Sequence, residues 1–99
     1  MIAIVATYRA APGQADTVAG FLGRMVDPSS AEPGCRAYLA HRSPDDPAEF
    51  LLYEQYTDRQ ALEAHRGSAH FAEFVQGEIV PRLESRTVAV YDVLASSST

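Results

Sequence analysis

A chain of 99 residues is one domain, and its net charge of −5, with eight scattered Arg and no Lys, argues against a nucleic-acid or anionic-membrane partner. Its 46% apolar content, with four Phe and five Tyr, is that of a globular protein. Cys35, the single cysteine, excludes an internal disulfide and any cysteine-based metal knuckle, which suits a reducing cytoplasm; the start, MIAIVATYR, has neither the basic region of a signal nor the length of a membrane span.

The apolar, β-branched run Ile2 to Arg9 predicts a strand, ended by Ala10-Ala11-Pro12-Gly13. Between Gln14 and Asp27, Val18, Phe21, Leu22 and Met25 recur at the spacing of one helical face, with Asp16 in the first turn and Pro28 as the stop. AEPGC, Ala31 to Cys35, reads as a type II turn, because Pro and Gly occupy its central positions. Arg36 to Arg42 is a second strand, SPDDP (Ser43 to Pro47) a hairpin loop, and Glu49 to Tyr56 a third strand.

Thr57 and Gln60 match a capping box opening a helix that runs to about Arg66. Gly67 breaks it and Ser68 can cap a second segment. Phe71, Phe74, Val75, Ile79 and Leu83 keep helical spacing to about Glu84, with Pro81 loosening the last turn. Thr87 to Leu94 is a fourth strand, and residues 96–99 are expected to form a disordered tail behind a single domain over 1–95.

The order β-α-β-β-α-β predicts a ferredoxin-like α+β fold: a four-stranded antiparallel sheet with both helices on one face. Strands one and three are apolar at nearly every position, so both faces expect burial, and two helices cover only one. A second copy packed sheet on sheet, as a twofold homodimer, would cover the other.

EAHRGSAHF, Glu63 to Phe71, sets two of the three histidines on either side of a Gly-Ser break. His65 shares the inward stripe of Ala61 and Leu62. It is either a proton acceptor in a pocket or a buried neutral side chain held by a carbonyl. His70 falls in the first turn after Ser68; it is either a second pocket group or a brace for the break. Tyr8, Glu54 and Tyr56 stand near strand ends, and a part-buried Glu54 needs a partner or a raised pKa; an Arg at the dimer seam is one such partner. Tyr38 suits core or rim, and Phe71 and Phe74 are core residues with an edge free to line an apolar pocket. Cys35 reads as a small buried hydrophobe and His41 as exposed, while Asp45-Asp46 lacks the ligands of a calcium site.

PG at Pro12-Gly13, AEPGC at Ala31 to Cys35, FLLYEQYTD at Phe50 to Asp58 and ALEAHRGSAHF at Ala61 to Phe71 together resemble the antibiotic biosynthesis monooxygenase domain of the dimeric α/β-barrel superfamily. The resemblance covers nearly the whole chain. It implies an oxygenase that uses no metal or flavin cofactor, acting on a small aromatic substrate, a polyketide-type phenol or anthrone or a quinol, with O₂. It also implies that His65 looks into a cavity between helices and sheet. His65 and His70 are the catalytic candidates; Tyr8, Tyr38, Glu54, Tyr56, Phe71 and Phe74 are the substrate-binding candidates. Haem-degrading members place a Trp where His65 stands and a ligating His where Val75 stands, so haem degradation is disfavoured. A small-metabolite isomerase using the same His65, or a dimeric binding protein without chemistry, is the alternative.

Overall fold

Alternation along the first strand decides the architecture. In the computed structural model, which describes residues 1–97, β1 (Ile2–Ala10) lies inside a four-stranded antiparallel sheet. It pairs on one side with β3 (Glu49–Tyr56) and on the other with β4 (Leu83–Asp92); β2 (Cys35–Arg42) pairs with β3, giving the order β2-β3-β1-β4. One face of the sheet carries α1 (Ala15–Ser30), α2 (Arg59–Arg66) and a π-helix, Phe71–Ile79, which ends in a 3₁₀ turn, Val80–Arg82. This is the ferredoxin-like α+β fold. No helix among the described residues is long and apolar enough to cross a membrane. Of the expected tail, residues 98–99 lie outside the described residues.

Ile4 pairs with Glu54 and Val90, Ala6 with Leu52 and Val88, and Tyr8 with Phe50 and Arg86. These rows face the helices. Val18, Leu22 and Met25 of α1 and Val75 and Ile79 of the π-helix close the core over Ala6, Tyr8, Phe50 and Leu52. Leu62 of α2 closes a smaller cluster with Ile2, Ile4 and Tyr56. The odd-numbered β1 positions face away. There Leu39 (47% exposed), Leu51 (37%) and Tyr91 (57%) stand open beside Val5 and Tyr53, as expected for strands apolar on both sides.

Local chemistry corrects several expected boundaries. α1 runs through Pro28 to Ser30, since a proline in the last turn removes only one ladder donor. Asp58, not Thr57, caps α2: in extended backbone, its carboxylate accepts the Ala61 N–H at 2.8 Å. β4 begins at Leu83 rather than Thr87, because Pro81 tightens the helix end into a 3₁₀ turn that releases the chain four residues early.

The AEPGC turn closes from the Cys35 N–H to the Glu32 carbonyl, 3.1 Å, but Gly34 has no positive φ, so it is not the expected type II turn. Glycine is required here by proximity. A Cβ on Gly34 would overlap the Ala61 side chain of α2, and the Gly34 carbonyl accepts the Thr57 N–H at 2.9 Å. The turn is thereby clamped to the start of α2. Gly34→Ala is expected to cost about 1–3 kcal/mol through forced displacement, measured by urea denaturation; an unchanged midpoint would remove this reading of the contact.

Candidate active site

Leu62 and His65 are three residues apart on α2 and share its inward face, at 1% and 2% exposure. The His65 ring sits among aromatic rings: Tyr56 at 5.3 Å, Phe71 edge-on at 5.4 Å, Tyr38 at 5.6 Å and His70 at 5.9 Å between centroids. Its Nδ1 lies 2.9 and 3.1 Å from the two carboxylate oxygens of Glu32. An ionised carboxylate only accepts, so Nδ1 donates to it, and the neutral tautomer that this contact selects has its lone pair on Nε2. That nitrogen faces the Glu54 carboxyl at 3.7 Å.

Glu54 comes from the centre of the sheet, through the even-position row that also carries Ile4. Burial, the largest influence, pushes its carboxyl above the ordinary carboxylate value; the Tyr56 hydroxyl, donating at 2.7 Å, and His65 oppose that rise. Burial also raises the Tyr56 and Tyr38 hydroxyls, with Glu54 adding to the effect in both. Tyr8 is raised by burial too, but Arg86, whose guanidinium lies 5.6 Å from the ring centroid, acts against the rise.

The Gly67–Ser68 break re-aims the chain. Ser68 Oγ donates to the His65 carbonyl at 2.6 Å and accepts from the Phe71 N–H at 3.2 Å, ending one helix and starting the next. In an unbroken helix, residues five apart point about 140° away from each other. Here His70 Nε2 reaches the Glu32 carboxylate that His65 holds, at 2.5 Å. Both imidazoles converge on one acid, each with a ring nitrogen placed to donate to it.

Beside this cluster lies a cavity of about 330 Å³, at the small end of ligand-pocket sizes. Its wall is Ile4, Ala6, Leu62, Phe71 and Val88; its polar groups are Tyr8, Glu54, His65, Arg66, Gln76 and Arg86. Four of the sequence candidates, Tyr8, Glu54, His65 and Phe71, therefore meet around one space. The others do not line it. Tyr38 and Tyr56 pack against the His65 ring, because their strand positions bring them beneath α2. His70 turns to Glu32 instead of the cavity. Phe74 packs on Phe21 at 6.2 Å, under the Arg24 guanidinium, since one helical turn carries it to α1. Within the chain, Glu54 has Tyr56 and His65 as its partners. Cys35 is only half-buried.

Sequence reasoning missed Glu32, Arg66, Gln76 and Arg86. Glu32 stood inside a motif that reads as a turn, 33 residues from the histidine it meets. Nothing local marks it.

Glu54 supplies a pH test. Its folded carboxyl binds its proton more tightly than the unfolded carboxyl, whose ordinary value is 4.5. The stability this contributes is present below that value and is lost as pH rises through the folded one. Glu54→Gln is expected to flatten the decline in unfolding free energy as pH rises above 4.5, read from denaturant midpoints across a pH series. An identical slope in the variant would assign the decline to another group.

Comparison with known proteins places the chain in a family. The sequence profile of the family described as antibiotic biosynthesis monooxygenase matches residues 1–77. Rv0793 of Mycobacterium tuberculosis, named as a candidate monooxygenase, is 35% identical over 89 residues, covering 88% of this chain and 87% of that protein. Its solved structure superposes with a TM-score of 0.89 over 98% of both chains, at 32% identity. PA3566 from Pseudomonas aeruginosa gives 0.88 at 35% identity, over 95% of this chain and 94% of its own. An antibiotic biosynthesis monooxygenase crystal structure gives 0.88 at 28% identity, over 96% of this chain and all of that one. The chain belongs to the antibiotic biosynthesis monooxygenase family.

Proposed function

We propose that this chain is a monooxygenase that uses O₂ without metal or flavin to oxidise an electron-rich aromatic, a phenol, anthrone or quinol, after His65 removes its proton. The observation that carries the reading is the orientation of His65: one nitrogen is held by Glu32, and the other lies at the edge of a cavity large enough for a small aromatic.

Oxygen reacts slowly with closed-shell molecules, and a phenolate or enolate overcomes this by giving up one electron. Substrate enters against Phe71, Leu62 and Val88, with its hydroxyl toward His65 Nε2. As the proton passes to Nε2, Glu32 stabilises the imidazolium that forms. Tyr8 donates to the new oxyanion, and Arg86 adds positive charge beside it. Electron transfer gives an organic radical and superoxide, which combine to a peroxide. Loss of water then leaves one oxygen atom on the substrate: an anthrone CH₂ becomes a ketone, with one H₂O formed per O₂. The carboxyl of Glu54, which burial pushes upward and which faces Nε2, is placed to pass the peroxide the proton that departs with water. Aimed donors of this kind contribute about 3–4 kcal/mol each.

The apolar outer face of the sheet supports assembly as a homodimer, two copies joined through Leu39, Leu51 and Tyr91. The polar cavity mouth, with Arg66, Gln76 and Arg86, favours one second reading, proton transfer within a polar metabolite without oxygen. Oxygen-electrode measurements on metal-stripped protein with hydroquinones and anthrones separate the two. The proposal expects one O₂ consumed per product. Solvent hydrogen exchange into substrate without O₂ uptake supports the isomerase, and neither signal across the panel sinks both.

A further inference from the structure

Glu32, His65 and His70 come from three separate places in the chain: the clamped turn after α1, the helix α2, and the start of the π-helix. Their carboxylate oxygen, Nδ1 and Nε2 all lie within 4.8 Å of one another. Two neutral imidazoles and one carboxylate form a donor set that suits a first-row divalent cation, and three protein ligands leave a position for water. Two ligands on a tetrahedral ion with arms of about 2.1 Å stand about 3.4 Å apart, so the present spread closes by side-chain shifts on the order of 1 Å.

A second observation points the same way. A histidine that holds a metal through one ring nitrogen almost always donates its other N–H to an outer acceptor. For His65 the candidate is the Glu54 carboxyl, which stands 3.7 Å from Nε2, a small shift short of a hydrogen bond, and is itself fixed by the Tyr56 hydroxyl. The site also has an entrance, because the Glu32 and His70 side chains keep 16% and 18% of their surface in contact with solvent.

We propose that Glu32, His65 Nδ1 and His70 Nε2 form a binding site for a zinc-class divalent cation. Occupancy has a chemical consequence. The ion takes the lone pair on Nδ1, so the ring proton of His65 moves to Nε2, on the side that faces Glu54. Nε2 then has no lone pair for a substrate proton. The cation is therefore an inhibitor of the chemistry proposed above. This consequence rests on that proposal; the binding itself does not.

The binding test needs no turnover. Metal-stripped protein is titrated with Co²⁺, followed by its visible ligand-field bands, and with Zn²⁺ by calorimetry. The parent chain and the His41→Ala control, an exposed histidine outside the cluster, are expected to bind one ion per chain. Glu32→Ala and His70→Ala, on different elements and each checked for folding by circular dichroism, are expected to weaken binding by more than about 100-fold, beyond what loss of an outer partner costs. No binding by the parent, or one-to-one binding that survives either ligand substitution, overturns the site. If Zn²⁺ binds as described and leaves O₂ uptake unchanged, the site stands and His65 as the base does not.

Discussion

His65→Gln is expected to lower turnover of a phenolic substrate about 10²–10⁴-fold, the range a positioned general base supplies, while substrate binding stays close to that of the parent. Glutamine is chosen because its amide N–H can still donate to Glu32 and its bulk still fills the space among Tyr38, Tyr56 and Phe71. What it lacks is a nitrogen that can accept a proton. A loss in kcat with little change in KM marks a group that acts in the transition state. Equal losses in binding and stability, with kcat preserved, would instead mark His65 as a packing residue. Steady-state O₂ uptake and a denaturation curve on the same preparation separate these outcomes.

Glu32→Gln is expected to cost on the order of 10²–10³ in kcat, below the ~10⁴ seen when the carboxylate behind a catalytic histidine becomes an amide in a serine protease. The physical origin is shared. A carboxylate fixes the tautomer and stabilises the imidazolium; an amide does neither reliably. The smaller loss reflects the part of Glu32 that touches water, which screens its charge. Because Glu32 acts only through His65, the double variant is expected to be no slower than His65→Gln alone. Additive losses, measured in the same assay, would mean that Glu32 acts on substrate by a separate route.

The fold was legible because its signals are local and repeated. Alternation in IAIVATYR and the i, i+3, i+4, i+7 stripe of Val18, Phe21, Leu22 and Met25 each report one element, and their order leaves few topologies. Errors came where two weak signals competed. Thr57 and Asp58 are both good caps, and the side chain that reached Ala61 decided between them. Leu83 fits a helical stripe as well as a strand, and the turn at Pro81 decided that case.

The site was half legible. His65 could be placed inward from its neighbours on α2, and Tyr8 and Glu54 from strand parity. Glu32 could not be found this way. Its role depends on a contact across 33 residues, made possible by Gly34 packing against Ala61, and neither residue carries chemistry of its own. Phe74 failed for the opposite reason. Helical spacing says that it faces inward, but not whether inward means the cavity or α1.

The claim on which the mechanism turns is that His65 deprotonates a bound phenol before oxygen takes part. An anaerobic absorption spectrum tests it directly. A chromogenic hydroquinone or anthrone is mixed with metal-stripped protein at a pH below the compound's own pKa in water. The account predicts that the phenolate or enolate band appears on binding to the parent chain and is absent with His65→Gln. A complex in which the compound is bound but remains protonated, or a band of equal strength in the variant, would contradict it.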